Sequence, residues 1–119
     1  YPVMSEWKRD LQARAEAGET LFSPAGRRLP DVSDAPYRAV NYVIQGTAAA
    51  IFKVGCEHVI EALGAEVLYL PIHDEIVIEV PADQAEHARE ALETAMTGEI
   101  FGVTVRGTAH VLGDRLKHA

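Results

Sequence analysis

Hydrophobic and polar positions along this chain alternate with two periods, one near four and one near two, in stretches separated by glycine and proline. From Met4 to Ala17 the pattern is polar and charge-laced, with Trp7, Leu11 and Ala15 at intervals of four. That predicts a solvated surface helix with Ser5 as its candidate cap and Gly18 as its stop. Thr20 to Pro30 reads as a short hairpin turning at Pro24 and Gly26, followed by a loop to Pro36. The strongest helical period runs from about Ala35 to Leu63, where Val40, Val43, Ile44, Ile51, Val54, Val59 and Leu63 recur at threes and fours and Gly64 follows as a C-cap. Leu68 to Val80 holds two apolar runs that read as buried strands, flanking the polar triplet His73-Asp74-Glu75 and closed by Pro81. Ala82 to Thr97 predicts an amphipathic helix with Ala85, Ala88, Leu92 and Met96 inside and Glu86, Arg89, Glu90 and Glu93 solvated. Val103 to Val105 alternates like an edge strand, and in the tail from Gly107 to Ala119 only Val111 and Leu112 look like strong anchors. The elements predict an α+β chain: a long helix and an amphipathic helix packed on a small antiparallel sheet whose central hairpin carries His-Asp-Glu.

The triplet is where candidate chemistry concentrates. Strand side chains alternate faces, so Asp74 and Glu75 do not both point into a core. A carboxylate at the mouth of an apolar hairpin costs desolvation energy unless a cation sits against it. Magnesium and manganese favour oxygen ligands, and magnesium takes one or two protein carboxylates together with substrate phosphates, a combination suited to phosphoryl transfer. A plain polar hairpin turn satisfies the same pattern, since acidic turn residues are common. The triplet contains no glycine or asparagine for a tight primed turn, which favours selection for its side chains. His73 precedes Asp74 directly and can face the same ligand from the strand end, or serve as a hydrogen-bonded structural residue.

Bulk properties narrow the partners. A length of 119 residues suits one domain. No run approaches the roughly eighteen apolar residues of a membrane span, and Tyr1 to Asp10 lacks a signal-peptide pattern, so a soluble, cytoplasmic protein is expected. Cys56 is the only cysteine, which excludes a disulfide framework and a multi-cysteine zinc site. The net charge of −7 argues against holding nucleic acid by bulk electrostatics. The charge is uneven: residues 1–60 balance, whereas residues 61–119 carry the whole excess of acid. Polyanion contacts should come from the first half, with Lys8, Arg9, Arg14, Arg27, Arg28, Arg38 and Lys53. The acidic half needs metal to approach a phosphate.

On the long helix, Arg38, Asn41 and Gln45 fall within about 60° of one another at 100° per residue. Three hydrogen-bonding side chains in a row can read an extended ligand edge, and they also describe an ordinary wet helix face. Gly46-Thr47-Ala48-Ala49-Ala50 keeps the middle of that helix slim, as needed where another backbone or a ligand comes close. Cys56, His58, His87 and His110 show no zinc-ligand spacing.

Taken together, these residues resemble the C-terminal part of family A DNA polymerases, the bacterial and phage group. His73-Asp74-Glu75 between apolar strands is similar to that family's motif C. Asn41-Tyr42-Val43-Ile44-Gln45-Gly46-Thr47-Ala48-Ala49 is similar to its Asn-x-x-x-Gln-Gly-Thr-Ala-Ala helix. Tyr1-Pro2 before a helix, Gly26-Arg27-Arg28 before Leu29-Pro30, and Val103, Val105 and Gly107 near the end follow the family order, so the resemblance covers essentially the whole chain.

The resemblance implies a palm-type fragment, with residues 1–33 the end of a fingers-like region and residues 34–119 the C-terminal part of a palm domain. It implies template-directed nucleotidyl transfer by a two-metal mechanism using two Mg2+ or Mn2+ ions. Asp74 would be a catalytic, metal-binding aspartate and Glu75 an accessory carboxylate near the same metal. Glu75 could equally lie near the primer terminus; His73 would touch the primer end, and Arg38, Asn41 and Gln45 would meet the primer-template in its minor groove. Primer-template DNA, deoxynucleoside triphosphates and the remainder of the polymerase would be the partners. This chain departs from the pattern at Ala50, where an acid often stands, and at Tyr37, where an arginine is common, with Arg38 one position later. The connection from Arg28 to Tyr37 is short, and Gly113-Asp114 lacks the tryptophan of the family's terminal element. No candidate for the second metal-binding aspartate or for the nucleotide-holding fingers helix occurs, so the chain is expected to supply half of an active site and to be inactive alone. Two rival readings are a non-catalytic palm-like module of a split polymerase, and a metal phosphohydrolase, whose His-Asp doublet normally sits on helices with further histidines.

Overall fold

The computed structural model describes residues 1–112, and the elements it shows are helices and short antiparallel strands, consistent with an α+β chain. Two compact units divide it, Tyr1–Ala50 and Ile51 onward.

The first unit opens with α1, Pro2–Glu16. Pro2 suits the first helical turn because its missing N–H has no intrahelical partner there and its φ is already helical. Ser5 therefore lies inside the helix and does not cap it; its hydroxyl donates back to the Tyr1 carbonyl at 3.2 Å. Leu11 and Ala15, one turn apart, are buried, while Trp7 stays partly exposed. The helix stops as predicted at Gly18, with φ of +72°. Gly18 N–H donates to Ala15 and Glu19 N–H to the Arg14 carbonyl, the paired bonds of a Schellman stop. A two-pronged Arg14–Glu19 ion pair at 2.9 and 2.6 Å spans the same turn.

The predicted hairpin at 20–30 shrinks to one bridge, Phe22 to Arg28, around a turn in which Gly26 N–H donates to Ser23. Pro30, opposite Thr20 in this register, has no N–H to extend the ladder outward. Leu21 and Leu29 flank the bridge and join Leu11, Ala15, Val32, Ala39 and Val43 in one buried cluster. Each fully buried leucine in such a cluster contributes about 1.5–3 kcal/mol over its exposed state.

Helix α2 spans Arg38–Leu63 and contributes its first half to the first unit and its second half to the other. It starts three residues later than the period suggested because Pro36 disfavours helical backbone at Ala35. Turn bonds from Ala35 to Val32 and from Arg38 to Ala35 lead into it. Gly64, at φ +91°, ends it. The apolar stripe is narrower than predicted: Val43 and Val59 are buried, but Ile44 and Val54 are exposed.

In the second unit β1, Leu68–Ile72, pairs antiparallel with β2, Glu75–Ile78, with a bulge between Leu68 and Leu70. These strands are not buried; every residue from Tyr69 to Ile78 is half-exposed or exposed. Among the described residues each strand has one partner, so the ribbon is a two-stranded sheet with both outer edges unpaired. A 3-10 turn at Ala82–Gln84 precedes α3, Ala85–Ala95, whose Ala88 is buried. β3, Gly98–Ile100, pairs antiparallel with β4, Val103–Val105. The predicted single sheet is thus two separate two-stranded sheets among the described residues.

The charges on α3 are engaged as well as solvated. Arg89 bridges Glu86 at 2.7 Å and Glu93 at 2.9 Å, and Glu93 also accepts the Ala109 N–H at 3.0 Å. Ala109 is the buried anchor of the segment after β4, which the Glu93 bond and a second from Gly107 N–H to the Thr97 hydroxyl tie to α3 and its end, while Val111 and Leu112 are exposed. Gly113-Asp114 and the rest of the tail lie outside the described residues. No described helix is long and apolar enough to cross a membrane.

Candidate active site

The register of β1 and β2 builds the site. Ile72 pairs with Glu75, which leaves His73 and Asp74 as a two-residue loop and makes Glu75 the first residue of β2. The tight turn forms without glycine or asparagine because His73 takes a left-handed backbone, φ +54°. Histidine is among the few side chains that visit this region with any frequency. His73, Asp74 and Glu75 are all exposed, and neither carboxylate makes an ion pair among the described residues.

Arg38, Asn41 and Gln45 lie on the exposed side of α2 in the first unit. Arg38 is partly committed to its neighbour, its guanidinium carbon 5.7 Å from the centroid of the Tyr37 ring, within cation–π range. Asn41 and Gln45 share their surface with Ile44, Ala48 and Ala49, also exposed. Periodicity assigns Ile44 to the core; only its position between two exposed amides signals otherwise. The Thr47 hydroxyl donates its proton to the Val43 carbonyl at 2.7 Å, which leaves only its acceptor lone pairs for a ligand. A Cβ at Gly46 would make ordinary contact with Leu29 Cδ2, at 3.4 Å, so that position faces the Leu29 side chain. Arg27 and Arg28 are exposed beside the Gly26 turn and make no ion pair among the described residues.

Two shallow concavities of about 510 Å3 each occur elsewhere, one lined by Tyr1, Pro2, Val3, Met4 and Trp7, the other by Glu66, Val67, Tyr69, Glu79, Val80 and Pro81. Neither includes the triplet. Among the described residues no three His, Cys, Asp or Glu side chains gather as a metal cluster. The exposed Asp74 and Glu75 carboxylates fit the hard oxygen chemistry of Mg2+ or Mn2+, and two carboxylates fit a partial share of such a site.

Comparison with known proteins bears on what these residues serve. The sequence model described as DNA polymerase family A matches residues 3–111. A DNA polymerase of Mycobacterium phage D29 is 34% identical over 115 residues, covering 97% of this chain and 19% of the phage protein. The thermostable DNA polymerase I of Thermus filiformis is 36% identical over 112 residues, covering 81% of this chain and 13% of its own. DNA polymerase theta of Caenorhabditis elegans is 44% identical over 61 residues, 49% of this chain and 4% of that protein. No solved structure matches the chain with significance. The chain therefore spans about a fifth of the length of the phage relative it matches. With the family match running over nearly all of its residues, the chain belongs to DNA polymerase family A.

Proposed function

We propose that this chain is the part of a DNA-directed DNA polymerase that supplies one catalytic carboxylate and the minor-groove contacts to primer-template DNA. The observation that carries the reading is the hairpin: a two-residue loop that presents Asp74, with Glu75 beside it, unpaired and exposed in a chain of this family. Residues 1–33 are the end of a fingers-like region and residues 34–119 the C-terminal part of the palm.

Asp74 and Glu75 would hold the divalent cation, Mg2+ or Mn2+, one of two in the complete site. Bound there, the ions supply Lewis-acid activation of the primer 3′-hydroxyl and charge neutralisation on the triphosphate. The chain's own residues do the rest by placement. The pairing of Ile72 with Glu75 holds the two carboxylates at the turn. His73 meets the primer end. The amide N–H groups of Asn41 and Gln45, with the Arg38 guanidinium, donate to minor-groove acceptors that every base pair offers in similar positions, so they test pair shape without reading sequence. Exposed Ala48 and Ala49 leave that helix face low enough for a groove to approach. Deoxynucleoside triphosphates and the remainder of the polymerase complete the assembly; the 119 residues alone bind metal weakly and do not extend a primer.

The test is Asp74→Ala in the polymerase that carries this chain. The single-turnover incorporation rate should fall by several orders of magnitude while primer-template affinity changes little, because the loss is in transition-state charge stabilisation. Incorporation at the parent rate by the variant, or template-directed synthesis by the isolated chain, refutes the corresponding part of the reading.

A further inference from the structure

We propose that His73 is a positioning residue for Asp74, acting through its left-handed backbone in addition to any contact its ring makes. The proposal rests on the assignment of Asp74 as a metal-binding carboxylate. Among the described residues only two non-glycine positions have positive φ, His73 at +54° and Phe101 at +52°, and each is the first residue of a two-residue hairpin loop. The loops differ at their second residue. Between β3 and β4 the reversal is shared, since Gly102 also has positive φ, +75°. Between β1 and β2 His73 bears it alone, because Asp74 is not among the positive-φ residues. A loop with φ above zero only at its first central position ordinarily places glycine there.

Histidine at a glycine position satisfies two demands that glycine cannot meet together: it tolerates the left-handed region better than most side chains and still presents an imidazole at the strand end. The consequence falls on the next residue. Glu75 is locked opposite Ile72, so the direction in which Asp74 leaves the loop is set by the backbone of His73 and by the rotamer of Asp74 itself. Forcing residue 73 to negative φ turns the loop toward a type I or II geometry, whose twist splays the strands at the Ile72–Glu75 pair, or slides the register, and a slide of one residue exchanges the faces of Glu75 and Ile76.

The experiment compares His73→Gly, His73→Asn, His73→Ala and His73→Val in the polymerase that carries this chain, with Asp74→Ala as control. It reads the single-turnover incorporation rate and, separately, Mn2+ affinity by electron paramagnetic resonance without DNA or nucleotide. All four variants lose the imidazole, so a role confined to the ring makes them alike, or favours alanine over the more flexible glycine. Backbone positioning predicts that glycine and asparagine exceed both alanine and valine by about fivefold or more, in rate and in Mn2+ affinity, from the cost of a non-glycine residue at positive φ. Alanine equal to or better than glycine in either readout overturns the proposal. Should the valine variant fail to fold, the glycine–alanine pair, one methyl apart, decides. An Asp74→Ala control that retains full rate and Mn2+ affinity refutes the metal assignment itself, an outcome distinct from failure of the backbone order.

Discussion

Replacing Gly107 with alanine should destabilise the second unit, and replacing Gly55 should not, although both glycines face Met96. A Cβ built on Gly55, in α2, would lie 2.6 Å from Met96 Sδ and 3.0 Å from its Cε. Those atoms are the far end of an unbranched side chain that can rotate away, at about 0.5–1.5 kcal/mol for an off-rotamer torsion. Alanine inside a helix regains about 0.5–1 kcal/mol over glycine, so the net change should lie within about 1 kcal/mol of zero. A Cβ on Gly107 would lie 2.5 Å from Met96 Cβ, 3.2 Å from its carbonyl carbon and 3.3 Å from its oxygen. No side-chain rotation moves those atoms; the backbone after α3 has to shift. Overpacking of this kind costs about 1–3 kcal/mol, against about 0.4–1 kcal/mol gained by restricting the unfolded chain. The expected net loss is about 1–2 kcal/mol.

Urea unfolding followed by circular dichroism measures both variants, as a shift in midpoint at constant slope. Repeating each substitution on a Met96→Ala background separates the causes. That change removes Sδ and Cε but keeps Cβ and the carbonyl, so it should rescue any cost of Gly55→Ala and leave that of Gly107→Ala intact. A Gly107→Ala midpoint at or above the parent value, or its full rescue by Met96→Ala, refutes the reasoning.

Two further outcomes test other contacts. The Glu93 carboxyl is held below the usual carboxylate range, chiefly by the Ala109 N–H and also by Arg89. A lowered folded-state value means the stabilisation is fully present above the ordinary glutamate range, near pH 4.3, and is lost as pH falls through the lowered value. Glu93→Gln, which keeps an acceptor for Ala109 but cannot ionise, should flatten the fall in urea midpoint between about pH 5 and pH 3; an unchanged pH slope removes Glu93 from the account. Gln45→Ala in the full polymerase should weaken primer-template binding or mismatch discrimination while sparing the rate on matched, saturating DNA. Equal affinity and error spectrum by fluorescence anisotropy and mispair extension would take Gln45 out of the site.

Local pattern revealed the helices well because each signal lies within the element: Leu11 and Ala15 one turn apart, Gly18 and Gly64 where the helices stop. It missed β3 because Gly98-Glu99-Ile100 has no alternation of its own and is a strand only by pairing with Val103–Val105. It also merged the two sheets into one, since nothing in a strand's own residues says which partner it takes.

The same limit decides how much of the candidate site was readable. Two acids isolated in a largely apolar stretch stand out in any window, so Asp74 and Glu75 were visible. The left-handed backbone of His73 was not, because it depends on the Ile72–Glu75 register, a relation between two strands. On α2, a period of three and four cannot tell a face buried in a core from one slim and apolar enough to meet a groove, since both call for Ile and Ala in place of Lys and Glu. Exposure separates them: Val43 is buried at 7% while its neighbour Ile44 is 52% exposed beside Asn41 and Gln45.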